Sequence, residues 1–466
     1  MEHMNQNNLI DSRTLNLYEK QEKIYTRRMD GFFQRIQLFT GWPFLFAFFI
    51  TPWLTIDNRQ AVLFDLVETK FYIYWITFWP QDFILLSWSL IFAAFLLFFI
   101  TNLIGRVWCG YTCPQTIWTA IFTWAEQLAE GNRNQRIKLD KSNLTLNKIL
   151  KKTTKHSMWI CFALFTSITF VSYFYGLYEM SYDAWNLNLS SPVVFWLVFF
   201  TLATYFNAGW MREQLCKYIC PYARFQSSMF DEDTLIVSYD ECRGEIRGPR
   251  KKNLKPKGLG DCVDCSVCVQ VCPVGIDIRD GLQYECTNCA RCIDACNSVM
   301  NKMDYKKGLI SYTTLSQLKG KSFTWKRPKL VGYGLAVITM LISISVLLIS
   351  RPLVHLDILR DRNLLYQEVS GGYIQNSYKL NILNMSEHDN YFTLKITGLK
   401  KISIVPESEI FIQAGTAKNV AINVITDPDQ LNNLITKILI SATSTDNKLV
   451  AEAESRFIGP SSIQEI

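Results

Sequence analysis

The sequence predicts an α-helical membrane protein of five spans, with a small cysteine-rich α+β insert before the last span and an all-β sandwich after it. Three features carry this reading. Five apolar runs approach the roughly 20 residues that a bilayer core requires. All fourteen cysteines lie between Cys109 and Cys296. Beyond residue 350 the apolar residues alternate with period two. The average composition hides this division: 49% of the 466 residues are hydrophobic and 19% charged, for a mean hydropathy of +0.07.

The spans are expected near 36–56, 84–105, 157–177, 193–213 and 329–350. The shorter aromatic segment 71–80 (FYIYWITFWP) reads as interfacial or re-entrant. The first run follows a charged stretch and has no small-residue cleavage pattern, so it is expected to be an anchor and not a signal peptide. Charge orients the spans. Residues 1–35 carry six Lys or Arg, 57–82 carry two against four acids, 106–156 carry nine and 178–192 none. By the positive-inside rule, the N-terminus and the insert face the cytoplasm and the C-terminus lies outside. The same rule accounts for the net charge of +7 without nucleic acid, since the basic residues sit beside the apolar runs. The four histidines, His3, His156, His355 and His388, lie outside the middle of the spans, which argues against a bis-imidazole membrane haem.

The expected division is a cytoplasmic N-terminal segment 1–35, a four-span membrane domain 36–233, a cytoplasmic cysteine-rich domain 234–328, the fifth span 329–350 and a periplasmic domain 351–466. The last shows Tyr378, Leu380, Ile382; Phe392, Leu394, Ile396; Val420, Ile422, Val424; and Ile438, Ile440, separated by turn-like stretches such as Ser386–Asn390 and Gly415–Thr416. That pattern suggests an immunoglobulin-like sandwich, with a β-barrel or a partly ordered tail as alternatives.

Residues 262–273 read CVDCSVCVQVCP and 286–296 read CTNCARCIDAC, each C-x2-C-x2-C-x3-C. This is the spacing of bacterial two-cluster ferredoxins, in which the fourth cysteine of each run crosses to the other cluster. One 4Fe–4S cluster is therefore expected on Cys262, Cys265, Cys268 and Cys296, the other on Cys286, Cys289, Cys292 and Cys272. Zinc, the rival metal, would leave the C-x3-C element unexplained. Asn297 stands where the first run has Pro273. There is no dinucleotide fingerprint and no P-loop, so electrons are expected from a partner or from quinol.

A second motif repeats: RVWCGYTCPQT holds Cys109 and Cys113 before Pro114, and LCKYICPYA holds Cys216 and Cys220 before Pro221. Both are C-x3-C-P, each at the same end of a span. The thiols share a helical face if the stretch is helical. If it is a turn, the proline opens the next helix. Four such thiols suit a soft ion such as Cu(I) or dithiol–disulfide cycling. Cys161 reads as a core residue of the third span, Cys242 as structural, and Met300 and Met303 as packing.

The assembled pattern, including WCGYTCPQTIWT and GIDIRDGLQYEC, resembles the cytochrome c oxidase accessory protein family (CcoG, RdxA, FixG) of polyferredoxin-type membrane proteins. It is also similar to the quinol-dehydrogenase subunits NapH and NosR, which lack this C-terminal tail or carry other domains. The first resemblance implies a bacterial inner-membrane cupric reductase. It would supply Cu(I) to the catalytic subunit of a cbb3-type oxidase or its assembly factors, with Cys109, Cys113, Cys216 and Cys220 as the copper-contacting thiols. A non-catalytic copper-handling scaffold is a further alternative.

Overall fold

The computed structural model describes residues 23–460 apart from 57, 253–257, 323, 325–326, 362–363, 387, 400, 406–408, 432 and 446–448. His3 and most of the expected segment 1–35 lie outside the described residues, as do 461–466 of the expected last domain.

Five helical segments among the described residues are long and apolar enough to cross a membrane: Phe32–Trp53, Pro80–Ile104, Leu146–Tyr175, Ser191–Met211 and Pro328–Ile349. The chain divides into two compact units, one from residues up to 54 together with 93–337, the other from 55–92 together with 338–466.

In the first unit, helices α1 (Phe32–Ile50), the end of α2 (Phe83–Ile104), α3 (Val107–Tyr111), α4 (Pro114–Glu130), α5 (Arg133–Lys141), α6 (Leu146–Tyr175), α7 (Leu177–Trp185) and α8 (Ser191–Thr204) follow one another. Helix α6 begins well before the expected 157 because Thr145 accepts the Lys148 N–H as its N-cap and the basic residues after it are sound helix formers. Phe122, Ala125, Trp159, Ala163 and Ala208 form a core between α4, α6 and the π-helical segment Tyr205–Met211. Cys161 lies on the opposite face of α6 and is exposed. The expectation of a core cysteine fails because the face carrying Trp159, Ala163 and Thr166 is the one that turns inward.

After α9 (Pro221–Met229) the chain forms the expected α+β insert. Short helices α10 (Glu241–Gly244) and α11 (Val267–Val271) precede α12 (Arg291–Met303) and α13 (Leu315–Leu318). Ile278, Ile293, Leu309 and Met300 pack in its core, so Met300 is a packing residue. Cys242 is exposed on α10. Helix α14 (Pro328–Ile349) opens in this unit and continues into the next.

In the second unit, the aromatic segment 71–80 is mostly strand. Strands β1 (Thr55–Ile56) and β2 (Arg59–Gln60) pair, and β3 (Val62–Asp65), β4 (Lys70–Ile73) and β5 (Ile76–Phe78) make an antiparallel meander. Strands this short carry almost no period-two signal. In the insert, β6 (Ile236–Tyr239) pairs antiparallel with β7 (Ile310–Thr313). The C-terminal strands β8 (Val354–Arg360), β9 (Gln367–Val369), β10 (Tyr373–Asn384), β11 (Asn390–Thr397), β12 (Ile402–Val405), β13 (Ile410–Ile412), β14 (Thr416–Thr426), β15 (Ile435–Ser444) and β16 (Val450–Ile458) form the expected sandwich. One sheet runs β12-β14-β10-β8 with β9 on β10, the other β13-β11-β15-β16. Register places Tyr378 opposite Ile422 and Leu380 opposite Val420. Their shared face then buries against Phe392, Ile440 and Phe457 of the other sheet. Arg351 closes on Asp82 at 2.5 Å and on the Thr77 carbonyl at 2.8 Å.

Candidate iron–sulfur and thiol site

The two cysteine runs fold alike. In each, the residue before the second cysteine and the residue after it are left-handed: Asp264 and Ser266 at φ 49° and 51°, Asn288 and Ala290 at φ 53° and 57°. Each such non-glycine residue costs about 1–2 kcal/mol. Alternation of this kind turns successive N–H groups toward one concave side, the arrangement that favours an anionic guest. Ser266 and Ala290 then open α11 and α12.

Cys296, on α12, lies within electrostatic reach of Cys268, Cys262 and Cys265, and Cys292 within reach of Cys289, Cys286, Cys272 and Cys268. Cys262, Cys265, Cys268 and Cys296 line one small cavity with Tyr239 and Arg279. Burial pushes the thiols of Cys268 and Cys272 up to about 11 and those of Cys286 and Cys296 up to about 12; Cys292 is also raised. Free thiols of this kind stay protonated near neutrality, so metal loading releases protons. Among the described residues no three His, Cys, Asp or Glu side chains converge on a single-ion site. A tetrahedral thiolate ion needs sulfurs about 3.8 Å apart, from bonds of about 2.3 Å. Eight soft thiols in two runs are the donor chemistry that iron–sulfur cubes take, with one thiolate on each iron.

The C-x3-C-P motifs adopt a shared geometry. Cys109 sits on α3 and Cys216 on the π-helical turn Leu215–Ile219, while Cys113 and Cys220 are N-caps with Pro114 and Pro221 opening α4 and α9. All four thiols lie within electrostatic reach of one another's motif: Cys109 of Cys113, Cys216 and Cys220, and Cys216 of Cys113. Burial pushes Cys109 up to about 12 and Cys216 up to about 11, and raises Cys113. Cys109 Sγ lies 3.5 Å from the Oε1 of wholly buried Gln226, and Gln115 donates to the carbonyls of Asn207 and Arg212 at 3.0 and 3.3 Å, joining the two motifs.

The first motif rests directly on the second cysteine run. A Cβ on Gly110 would stand 2.7 Å from the Thr287 carbonyl and 3.0 Å from the Cys289 Cα, so only glycine fits between Cys109 and Tyr111. The Tyr111 and Tyr312 hydroxyls are 3.1 Å apart, and Tyr312 donates to the Asn288 carbonyl at 2.5 Å. Helix α1 docks on α12: Asp294 accepts the Phe33 and Gln34 N–H groups at 3.3 and 3.0 Å, filling the place a side chain on Gly31 would occupy. Arg291 donates to Gln37 at 2.9 Å, which donates to the Gly110 carbonyl at 2.7 Å.

Buried charge supports the second motif from behind. Glu126, fully buried, meets Arg212 at 2.8 Å, Lys23 at 3.0 Å and Arg136 at 3.3 Å. Burial alone would raise its carboxyl, but these cations outweigh it and hold it at about 2. Sequence reading missed Glu126, Arg106 and Asp294 because their partners are remote in the chain. The one local hint was Arg106 beside the C-x3-C-P element.

The chain matches a 4Fe-4S dicluster domain over residues 211–315, a 4Fe-4S binding domain over 84–133, and the IG-like fold at the C-terminal of FixG over 344–460. It is 34% identical over 495 residues to the Nitrogen fixation protein FixG of Rhizobium meliloti, covering 96% of this chain and 92% of that one. It is 37% identical over 398 residues to Protein RdxA of Cereibacter sphaeroides, covering 82% and 84%. A FixG-related protein from Vibrio parahaemolyticus, of known crystal structure, is 31% identical over 23% of this chain and 95% of its own, with a TM-score of 0.21. The chain therefore carries 4Fe–4S cofactors, and the match over 84–133 takes in Cys109 and Cys113.

Proposed function

Since the chain belongs to the FixG/RdxA family of membrane iron–sulfur electron-transfer proteins, we propose that it is a cupric reductase supporting assembly of a cbb3-type oxidase. One observation carries the proposal: two C-x3-C-P turns bring four thiols together, and the first of them packs through Gly110 on the Thr287–Cys289 backbone. Cys262, Cys265, Cys268 and Cys296 would hold one cluster, and Cys286, Cys289, Cys292 and Cys272 the other. A bound 4Fe–4S cluster takes up and releases single electrons, the unit that turns Cu(II) into Cu(I). Cys109, Cys113, Cys216 and Cys220 contact the copper, and soft thiolates favour the Cu(I) product until an acceptor takes it. Closing on copper requires these thiols to draw together. Basic residues flanking the spans put the N-terminus and the insert in the cytoplasm of a bacterial inner membrane and the sandwich in the periplasm. On this reading the functional division is 1–35, 36–233, 234–328, 329–350 and 351–466. The partners are copper ions, an electron donor, and the oxidase catalytic subunit or its assembly factors.

The test is anaerobic: reduce the purified protein, add Cu(II), and follow Cu(I) beside cluster oxidation. Cu(I) should appear in step with oxidation and be lost in Cys109→Ser and Cys220→Ser. Clusters that quinol reduces and that ignore copper would move the protein to the quinol-dehydrogenase class.

The match over 84–133 favours a second reading, in which the four membrane-edge thiols themselves bind iron–sulfur. Under it Cys109→Ser lowers the iron content, whereas under the copper reading iron is unchanged and copper reduction is lost.

A further inference from the structure

Arg106 is a buried cation, with 4% of its surface exposed. One arm of its guanidinium donates to the Tyr284 carbonyl, two residues before Cys286, and the other to the Ala223 carbonyl, three residues after Cys220. It thus ties the loop before Cys109, the first turn of α9 and the approach to the second cysteine run.

These acceptors are neutral carbonyls. Among the described residues no carboxylate lies in ion-pair range of Arg106, whereas buried Glu126, Arg136, Arg212 and Arg327 each have a charged partner. A buried charge left uncompensated is costly, so it is normally paired. Groups within electrostatic reach of Arg106 that can become anionic include Cys109, Cys216 and Cys286, together with the Tyr222 phenol. Tyr222 already shares its hydroxyl with Thr101 at 2.6 Å, whereas Cys109 is three residues from Arg106 and Cys286 two residues from the Tyr284 carbonyl that Arg106 holds.

We propose that Arg106 is the counter-cation shared by the metal–thiolate centre on Cys286, Cys289, Cys292 and Cys272 and by the membrane-edge thiols. Glycines fix the approach. A Cβ on Gly105, at φ +63°, would meet the Asn288 amide at 2.4 Å and the Leu235 carbonyl at 2.8 Å, and Gly110 abuts Cys289. Arg106 is therefore held between the two thiol sets by backbone that cannot withdraw. A fixed positive charge there favours the more negative, reduced state of the cluster on one side and offsets the negative charge of metal-bound thiolates on the other. It is a positioning and poising residue, since it reaches the reacting groups through space. The half of the proposal that concerns the membrane-edge thiols rests on the function proposed above; the half that concerns the Cys286 set does not.

The experiment uses the full-length, iron-loaded protein in detergent or nanodiscs, with Arg106→Gln and Arg106→Lys variants. An EPR-monitored redox titration without copper reads the clusters, and competition with a Cu(I) chelator reads the thiols. In Arg106→Gln, one cluster should become harder to reduce while the other titrates as in the wild type, and Cu(I) affinity should fall several-fold. Arg106→Lys, which keeps the charge and loses the two-carbonyl fork, should restore both. Unchanged midpoints in a fully loaded Arg106→Gln would overturn the proposal, as would equal shifts of both clusters. If Arg106→Gln fails to load iron, Arg106→Lys decides: recovery of loading supports the charge, and failure of both variants assigns Arg106 to scaffolding and sinks the idea. A shifted cluster with no effect on Cu(I) would keep the cluster half and refute the thiol half, pointing to a failure of the copper reading and not of the counter-charge.

Discussion

Replacing Glu126 by glutamine tests whether buried charge, and not apolar packing alone, holds the second C-x3-C-P turn. The carboxylate has no exposed surface and faces Arg212 at 2.8 Å, Arg136 at 3.3 Å and Lys23 at 3.0 Å. Its carboxyl is held at about 2 against an ordinary 4.5. At about 1.4 kcal/mol per pH unit, that displacement corresponds to roughly 3 kcal/mol. Breaking a buried ion pair from one side typically costs about 3–5 kcal/mol, in line with that figure. Glutamine preserves the shape and leaves wholly buried Arg136 without its charge partner. The loss should be felt at Arg212, which ends the π-helical segment at φ 42° and donates to the Gly209 carbonyl at 2.8 Å, four residues before Cys216. Because the folded-state value is depressed, the stabilisation is full above the unfolded value near 4.5 and disappears as pH falls toward 2. Thermal unfolding in detergent at neutral pH should therefore drop by several degrees in Glu126→Gln. The gap between variant and wild type should narrow on acidification through that window. A variant as stable as the wild type at pH 7, with unchanged alkylation rates at Cys216 and Cys220, would refute the reasoning.

Other substitutions probe separate links. Cys296→Ser should remove the EPR signal of one cluster and about half of the iron; loss of both signals or neither contradicts the crossed ligand sets. Gly110→Ala forces a methyl into the Thr287–Cys289 backbone and should cost about 1–3 kcal/mol, seen as a lower melting temperature with a perturbed spectrum of one cluster; an unperturbed spectrum counts against the contact. Asp294→Ala removes the cap of α1 and should cost about 1 kcal/mol, read by thermal unfolding; an unchanged melting temperature counts against the contact. Cys161→Ser, on an exposed face, should leave iron, copper reduction and stability unchanged; a loss of iron would give that thiol a role.

Much of this architecture is legible locally. A span is a property of about 20 consecutive residues, which is why all five were located from hydropathy, with errors confined to their ends. The sandwich was legible because the side-chain period of a strand is two, so Tyr378, Leu380 and Ile382 had to share a face. The two cysteine runs were legible because a compact cluster demands closely spaced thiolates. The meander at 55–78 was missed because strands of two to four residues carry too little pattern. Cys161 was misplaced because an almost uniformly apolar helix does not announce which side meets its neighbours.

The residue types and spacings that make this chain a five-span iron–sulfur membrane protein are thus written along the sequence, since hydropathy, strand alternation and thiolate spacing are local quantities. What only the tertiary structure decided is which groups meet across long stretches of chain: Asp294 on the N-terminus of α1, Glu126 on Arg212, Gly110 on Cys289, and Arg106 on the Tyr284 and Ala223 carbonyls. Such contacts depend on how helices pack and how charges find compensation once buried, and no local pattern encodes the partner of a buried charge.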